Sequence, residues 1–183
     1  MKLLDKLIQR WRINKIRPFL KPGDRVLDIG CSDGILFRLI RGIHGVGLDL
    51  ICHNVDRIEG VELIDGSYPE AISANEIFDK VCMLAVLEHI PADRQPLVAE
   101  SCFKHLKPNG YLMITVPSSS VDRILDILTF MRLVEGIEVH QHYGFKPSMV
   151  PSLFGNVGFE LVEASKFQFG LNNLFVFKRP AKT

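Results

Sequence analysis

No excess of charge of either sign marks this chain: 22 Lys and Arg stand against 21 Asp and Glu, a formal net charge of +1. Nucleic-acid binders usually carry a basic face, because neutralising phosphates supplies most of their affinity, so no nucleic-acid partner is expected. The four cysteines, Cys31, Cys52, Cys82 and Cys102, form no C-x-x-C pair. That removes the usual zinc and redox motifs, leaves no metal expected, and suits reduced thiols in a cytoplasmic protein. No uncharged apolar run approaches the ~20 residues that span a bilayer. Charge at Asp5 and Lys6 interrupts the N-terminal apolar residues, so no signal peptide is read there. Internal repeats, low-complexity tracts and linkers are missing too. What is present is 183 residues, 47% of them apolar, which suits a single domain with one real core.

Strand-like and helix-like segments alternate along the chain. Leu4, Leu7, Ile8, Trp11, Ile13 and Ile16 recur at helical spacing between Leu3 and Leu20, and Lys21-Pro22-Gly23-Asp24 ends that helix. Strands are expected at 25–30, 45–50, 61–66, 78–84 and 111–116. Helices are expected at 35–42, 92–106, 121–134 and 148–156, and Lys107-Pro108-Asn109-Gly110 reads as a turn. Two closing strands, 160–167 and 173–178, are separated only by a short turn, which allows a hairpin and hence one antiparallel strand. The expected fold is α/β: a Rossmann-like, mostly parallel seven-stranded sheet with helices on both faces.

The most informative run is Val26-Leu27-Asp28-Ile29-Gly30-Cys31-Ser32-Asp33-Gly34. It joins a buried strand to a helix through a turn with two glycines, which lets a ligand approach bare backbone. Asp49, at the end of the next strand, is placed to accept hydrogen bonds from ribose hydroxyls. A dinucleotide fingerprint, G-x-G-x-x-G, is not met, because the glycines fall at 30 and 34 with Ser32 between. Gly30-Cys31-Ser32-Asp33-Gly34 does match the G-x-S-x-G nucleophile elbow of hydrolases, with Ser32 as nucleophile. Yet it sits on the first strand, with too little chain upstream for the usual preceding strands.

The same run resembles the first motif of class I S-adenosylmethionine-dependent methyltransferases, hydrophobic-L-D-h-G-C-G-x-G. Further segments resemble that family in the right order: Leu48-Asp49, Asp65-Gly66, Phe78 to Val81 leading to Leu87-Glu88-His89-Ile90, Leu106 to Leu112, and Gly158-Phe159. The resemblance covers residues 20–178 and is closest to the small-molecule branch that includes quinone methyltransferases. One departure is Ser32, where the family motif has its second glycine.

The resemblance implies S-adenosylmethionine as cofactor, S-adenosylhomocysteine as product and a small-molecule acceptor. It implies a cofactor site at Asp28, Gly30, Cys31, Ser32, Gly34, Asp49, Leu50, Asp65, Gly66 and Leu84. Within it, Asp28, Gly30 and Gly34 line the methionine, Asp49 accepts the ribose hydroxyls, and Asp65 accepts the adenine amino group. Proximity supplies most of the rate in such a transfer, and a base helps where the acceptor is a hydroxyl. His89, His140 and His142 are the candidates. The N-terminal helix with Trp11 is a candidate lid. The apolar helix after strand five, with Ile124, Leu128 and Met131, is read as ordinary sheet packing ahead of a lipid-touching patch. A non-catalytic S-adenosylmethionine-binding domain is the alternative to an enzyme.

Overall fold

The computed structural model describes residues 3–52, 57–118 and 145–181. Its seven strands are β1 (Arg25–Ile29), β2 (His44–Asp49), β3 (Val61–Asp65), β4 (Phe78–Leu84), β5 (Leu106–Pro117), β6 (Glu160–Phe167) and β7 (Asn172–Lys178). The described helices are α1 (Leu3–Ile16), α2 (Ile35–Leu39), α3 (Gln95–His105) and α4 (Val150–Gly155).

The strands lie in the order β3-β2-β1-β4-β5-β7-β6, with β7 antiparallel to both neighbours. β1 and β4 are buried along almost their whole length. Central parallel strands are covered on both faces, which is why they read as mostly apolar, as Val81, Cys82, Met83 and Leu84 do, rather than alternating. Edge strands β3 and β6 are half open to solvent.

Alternate residues feed two core layers. Leu27, Val81, Met83, Leu112, Ile114 and Phe177 pack under α3 and α4 through Val98, Cys102 and Phe154. Val26, Cys82, Met113, Leu174 and Val176 face the other way and meet α1 and α2 through Ile13, Ile16, Leu36 and Phe37. The expected sheet and its single antiparallel strand are therefore the fold observed.

Several expectations change at their edges. The helix expected from Leu3 to Leu20 ends at Ile16 and is followed by a 3-10 turn, Arg17–Phe19, and the helix expected over 148–156 is Val150–Gly155 after a 3-10 turn, Pro147–Met149. The helix expected over 35–42 ends at Leu39. Ile40 is already extended, and Gly42, at φ 82°, turns the chain into β2. The helix expected over 92–106 begins only at Gln95, after a turn closed by the Arg94 N–H donating to the Pro91 carbonyl (2.9 Å). Lys107–Gly110 does not separate two elements but lies inside β5. Phe78 pairs with Leu106 and Lys80 with Tyr111, so the extra β5 residues form a bulge with Asn109 at φ 64°. The Asn109 N–H donates to the Arg179 carbonyl (2.8 Å) and the Arg179 N–H to Gly110 (3.0 Å), which pairs backbone groups that a free turn would leave to water. The helix expected over 121–134 lies outside the described residues.

Candidate functional site

From β1 the chain winds outward to β2 and β3, then returns across β1 to β4. The strand order therefore reverses between β1 and β4, and open α/β sheets bind ligands at such a switch point, at the carboxyl ends of their strands. A cleft of about 500 Å³ lies there. It is walled by Gly30 after β1, Asp49 and Leu50 at the end of β2, and Gly66, Ser67 and Tyr68 after β3. Leu84 to Val86 and His89 to Pro91 after β4 complete it, with Arg94 at the start of α3.

The glycine turn is fastened to the end of β2. The Gly30 and Cys31 N–H groups both donate to the Leu48 carbonyl (2.7 and 3.1 Å), and the Ser32 N–H donates to Asp49 Oδ2 (2.8 Å). The Asp49 carbonyl in turn accepts the Gly66 N–H (2.8 Å). Asp49 thus ties together the turns after β1 and β3, and its carboxylate faces the cleft. One carboxylate oxygen of Asp49 caps the glycine turn, and the residue also lines the cleft.

Gly30 stands at φ 77°, and a Cβ there would lie 2.2 Å from Val86 Cγ2. Only glycine lets the two cleft walls approach so closely. Ser32 also has a positive φ, 53°, where a non-glycine residue carries roughly 1 kcal/mol of strain. The Asp49 bond helps hold it there. Ser32→Gly is expected to leave stability within about 1 kcal/mol of the parent, since relieved strain and added chain entropy offset each other. S-adenosylhomocysteine affinity should stay intact, as calorimetry would read; abolished binding would count against placing Ser32 at the second glycine of the family motif.

Asp28 does not line the cleft. It is buried at 4% exposure beneath the turn, beside Cys82 of β4. Burial, with the nearby Asp49 charge adding to it, pushes its carboxyl up to about 8. Cys31 and Gly34 are buried behind the cleft wall, and the Cys31 and Cys52 sulfurs are 4.0 Å apart as free thiols. Burial raises the Cys31 thiol. Asp65 is exposed and accepts the Cys52 N–H at Oδ1 (2.6 Å). Of the proposed cofactor residues, Gly30, Asp49, Leu50, Gly66 and Leu84 meet at the cleft. Asp28, Cys31, Ser32, Gly34 and Asp65 are not among the residues that wall it.

Among the candidate bases, His89 lies in the 3-10 turn Leu87–His89 and lines the cleft. His140 and His142 lie outside the described residues. The neighbouring Glu88, named in the sequence only as part of the Leu87-Glu88-His89-Ile90 block, also stands out. It is 2% exposed, its Oε2 has no hydrogen-bond partner, and burial pushes its carboxyl up to about 7 against the pull of Arg12 on α1. Tyr68 was also missed. Its ring walls the cleft, while its hydroxyl is hydrogen-bonded to His105 Nδ1 of α3 (2.9 Å). Nothing in the spacing of Tyr68 and His105 announces that pair, because 37 residues separate them.

α1, the candidate lid, contributes no residue to the cleft wall. Ile13 and Ile16 bury it against the sheet, and the Ile8 carbonyl accepts a bond from Gln168 Nε2 (3.1 Å) in the β6–β7 turn.

A family model described as a methyltransferase domain matches residues 3–164. The ubiquinone biosynthesis O-methyltransferase of Xylella fastidiosa (strain M23) is 29% identical over 168 residues, covering 80% of this chain and 65% of that protein. The chain thus spans just under two thirds of that curated relative. In fold it is similar to a SAM-dependent methyltransferase from Archaeoglobus fulgidus (TM-score 0.72, 17% identity, 93% of each chain). It is also similar to the magnesium protoporphyrin IX methyltransferase of Synechocystis PCC 6803, solved with bound SAH (TM-score 0.69, 15% identity, 98% of this chain and 88% of that one). With the glycine turn, the strand-end acids and the switch-point cleft in place, this family match displaces the Ser32 hydrolase reading: the chain belongs to the methyltransferase domain family, with the class I S-adenosylmethionine-dependent fold.

Proposed function

We propose that this chain binds S-adenosylmethionine in the cleft between β1 and β4 and moves its methyl group to a small-molecule acceptor. The observation that carries this reading is Asp49. One carboxylate oxygen holds the Ser32 N–H of the glycine turn, which leaves the other for a ribose hydroxyl at the cleft.

The residues present fit the group. The cleft, at about 500 Å³, falls within the ~300–1,000 Å³ usual for such ligands. Leu50, Leu84 and Ile90 offer apolar surface for a base. Asp28 lies directly beneath the wall formed by Ile29 and Gly30 rather than on it, and no cation pairs with it among the described residues; the ammonium of an amino acid moiety reaching through that wall would supply the partner, because a buried carboxylate is costly unless paired. When bound, the group supplies a methyl on a positively charged sulfur, already activated for transfer. The chain's work is to hold, orient and exclude water, which converts a bimolecular encounter into an aligned one. His89 stands at the cleft as the candidate base for a hydroxyl acceptor. The cytoplasm is the proposed location; none of the described helices is long and apolar enough to cross a membrane.

Calorimetric titration with S-adenosylhomocysteine, with NAD as control, tests the reading. Binding in the micromolar range, the order of 8 kcal/mol, is expected for the first alone. Absence of binding by folded, cofactor-free protein would overturn it. Bound cofactor with no turnover on any acceptor would favour the non-catalytic alternative.

Asp28 makes this binding pH-dependent. Its carboxyl stays protonated up to about 8 in the free protein, whereas pairing with an ammonium requires the ionised form. Below that pH, affinity should rise by up to about tenfold per pH unit and then level off, with proton release visible as a buffer-dependent heat. The stability of the free protein runs the other way. The folded state holds this proton and the unfolded state does not between about pH 4 and 8, so stability falls as pH rises through that window. Affinity flat from pH 6 to 8 would show that Asp28 does not ionise on binding.

A further inference from the structure

The cleft wall takes no residue from α1, yet α1 concentrates charge. Its sequence LLDKLIQRWRINKI carries Lys6, Arg10, Arg12 and Lys15 against Asp5 alone, a net +3; Arg12 is turned toward Glu88 and Lys15 toward Glu163, while Lys6 and Arg10 are exposed. The whole chain sums to +1, so the remaining residues sum to −2. This segregation places the excess positive charge on one helix.

The same helix leaves large apolar side chains in water. Leu7 is 54% and Trp11 46% exposed, four residues apart and so neighbours on one stripe. Beside them stands Phe169, 95% exposed at the tip of the β6–β7 turn, at φ 57°. Its ring meets that of Trp11 edge-on at 5.8 Å. The two elements are held in register by the Gln168–Ile8 bond, by Asn172 Nδ2 donating to Gln168 Oε1, and by Lys15 against Glu163 (3.6 Å). Lys6 and Arg10 lie exposed along the stripe, and exposed Lys166 lies three residues before Phe169.

We infer that Leu7, Trp11 and Phe169, ringed by Lys6, Arg10 and Lys166, form a docking surface for an anionic lipid bilayer. A basic helix with exposed aromatic and aliphatic residues is the pattern of interfacial membrane contact, in which rings enter the headgroup boundary and cations meet lipid phosphates. A phosphate backbone alone would not explain three large apolar side chains held in solvent. None of Leu7, Trp11 and Phe169 lines the cleft wall.

Trp11 is the only tryptophan in the chain, and its fluorescence therefore reports directly on the surface. Full-length protein would be titrated with vesicles of phosphatidylcholine alone, and with vesicles in which about a third of the lipid is phosphatidylglycerol. The expected result is a blue shift of Trp11 emission and co-sedimentation with the anionic vesicles, at least about tenfold tighter than with neutral ones. Salt near 1 M, where the Debye length is about 3 Å, should weaken it. Phe169→Ser, and Lys6→Glu combined with Arg10→Glu, should each lower vesicle affinity about tenfold or more while leaving S-adenosylhomocysteine affinity at the parent value. Unchanged emission with anionic vesicles, parent-like vesicle binding by both variants, or an equal response to single-stranded oligonucleotide would overturn the inference. Because cofactor affinity is read separately, these failures are distinct from failure of the methyltransferase reading.

Discussion

Asp49→Ala should weaken S-adenosylhomocysteine binding by about two orders of magnitude, the largest loss of affinity expected from any single substitution at the cleft. Two contributions combine. A hydrogen bond to a charged group is worth about 1.5–3 kcal/mol, and the ribose end of the ligand loses its carboxylate. The Ser32 N–H loses the acceptor that holds it at 2.8 Å in its left-handed conformation, so the turn itself loosens. Asp49→Asn separates the two effects. It retains an oxygen for the Ser32 N–H but has no charge, and should recover part of the loss. Affinity unchanged in Asp49→Ala would refute the ribose role and leave Asp49 as a turn cap only.

Gly30→Ala acts on the fold and on the cleft together. The added methyl would begin 2.2 Å from Val86 Cγ2 at a backbone φ of 77°. A left-handed alanine costs roughly 1–2 kcal/mol, and overpacking against a stiff β-branched side chain adds about 1–3. A loss of about 3 kcal/mol, or roughly 10 °C in Tm for a domain of this size, is expected by thermal unfolding. Folded protein should also bind the cofactor more weakly, since Gly30 and Val86 both line the cleft. Gly34→Ala is the comparison. It has similar backbone strain at φ 69°, but its methyl meets Ile58 Cδ1 (2.7 Å), the free end of a flexible side chain. Its loss should be the smaller of the two. Equal losses would show that the Val86 contact contributes nothing.

Much of this architecture was readable before any coordinates, because the signals are local. A parallel strand buried on both faces is mostly apolar, as Val26, Leu27 and Ile29 of β1 and Val81, Cys82, Met83 and Leu84 of β4 are. An acid that ends such a strand stands out against it, which is how Asp49 and Asp65 were found. Element ends were less legible. α2 stops at Leu39 because Gly42 must turn the chain toward β2, and helical periodicity carries no information about where the next strand must begin. Lys107–Gly110 has the chemistry of a turn, but it forms a bulge whose hydrogen bonds to Arg179 draw it into β5.

By itself, the sequence determined the order of strands and helices, the single antiparallel strand, and the acids and glycines that face the switch point. These follow from the periodicity of side chains and from residues whose backbone preferences act within a few positions. Tertiary structure alone decided which side chains share a wall. It set Tyr68 against His105, Glu88 near Arg12, and Trp11 against Phe169. It also withdrew Asp28 from the cleft into the layer beneath it. Each of those pairings joins residues far apart in the chain. Their proximity depends on how the helices settle on the two faces of the sheet, and no local pattern encodes that.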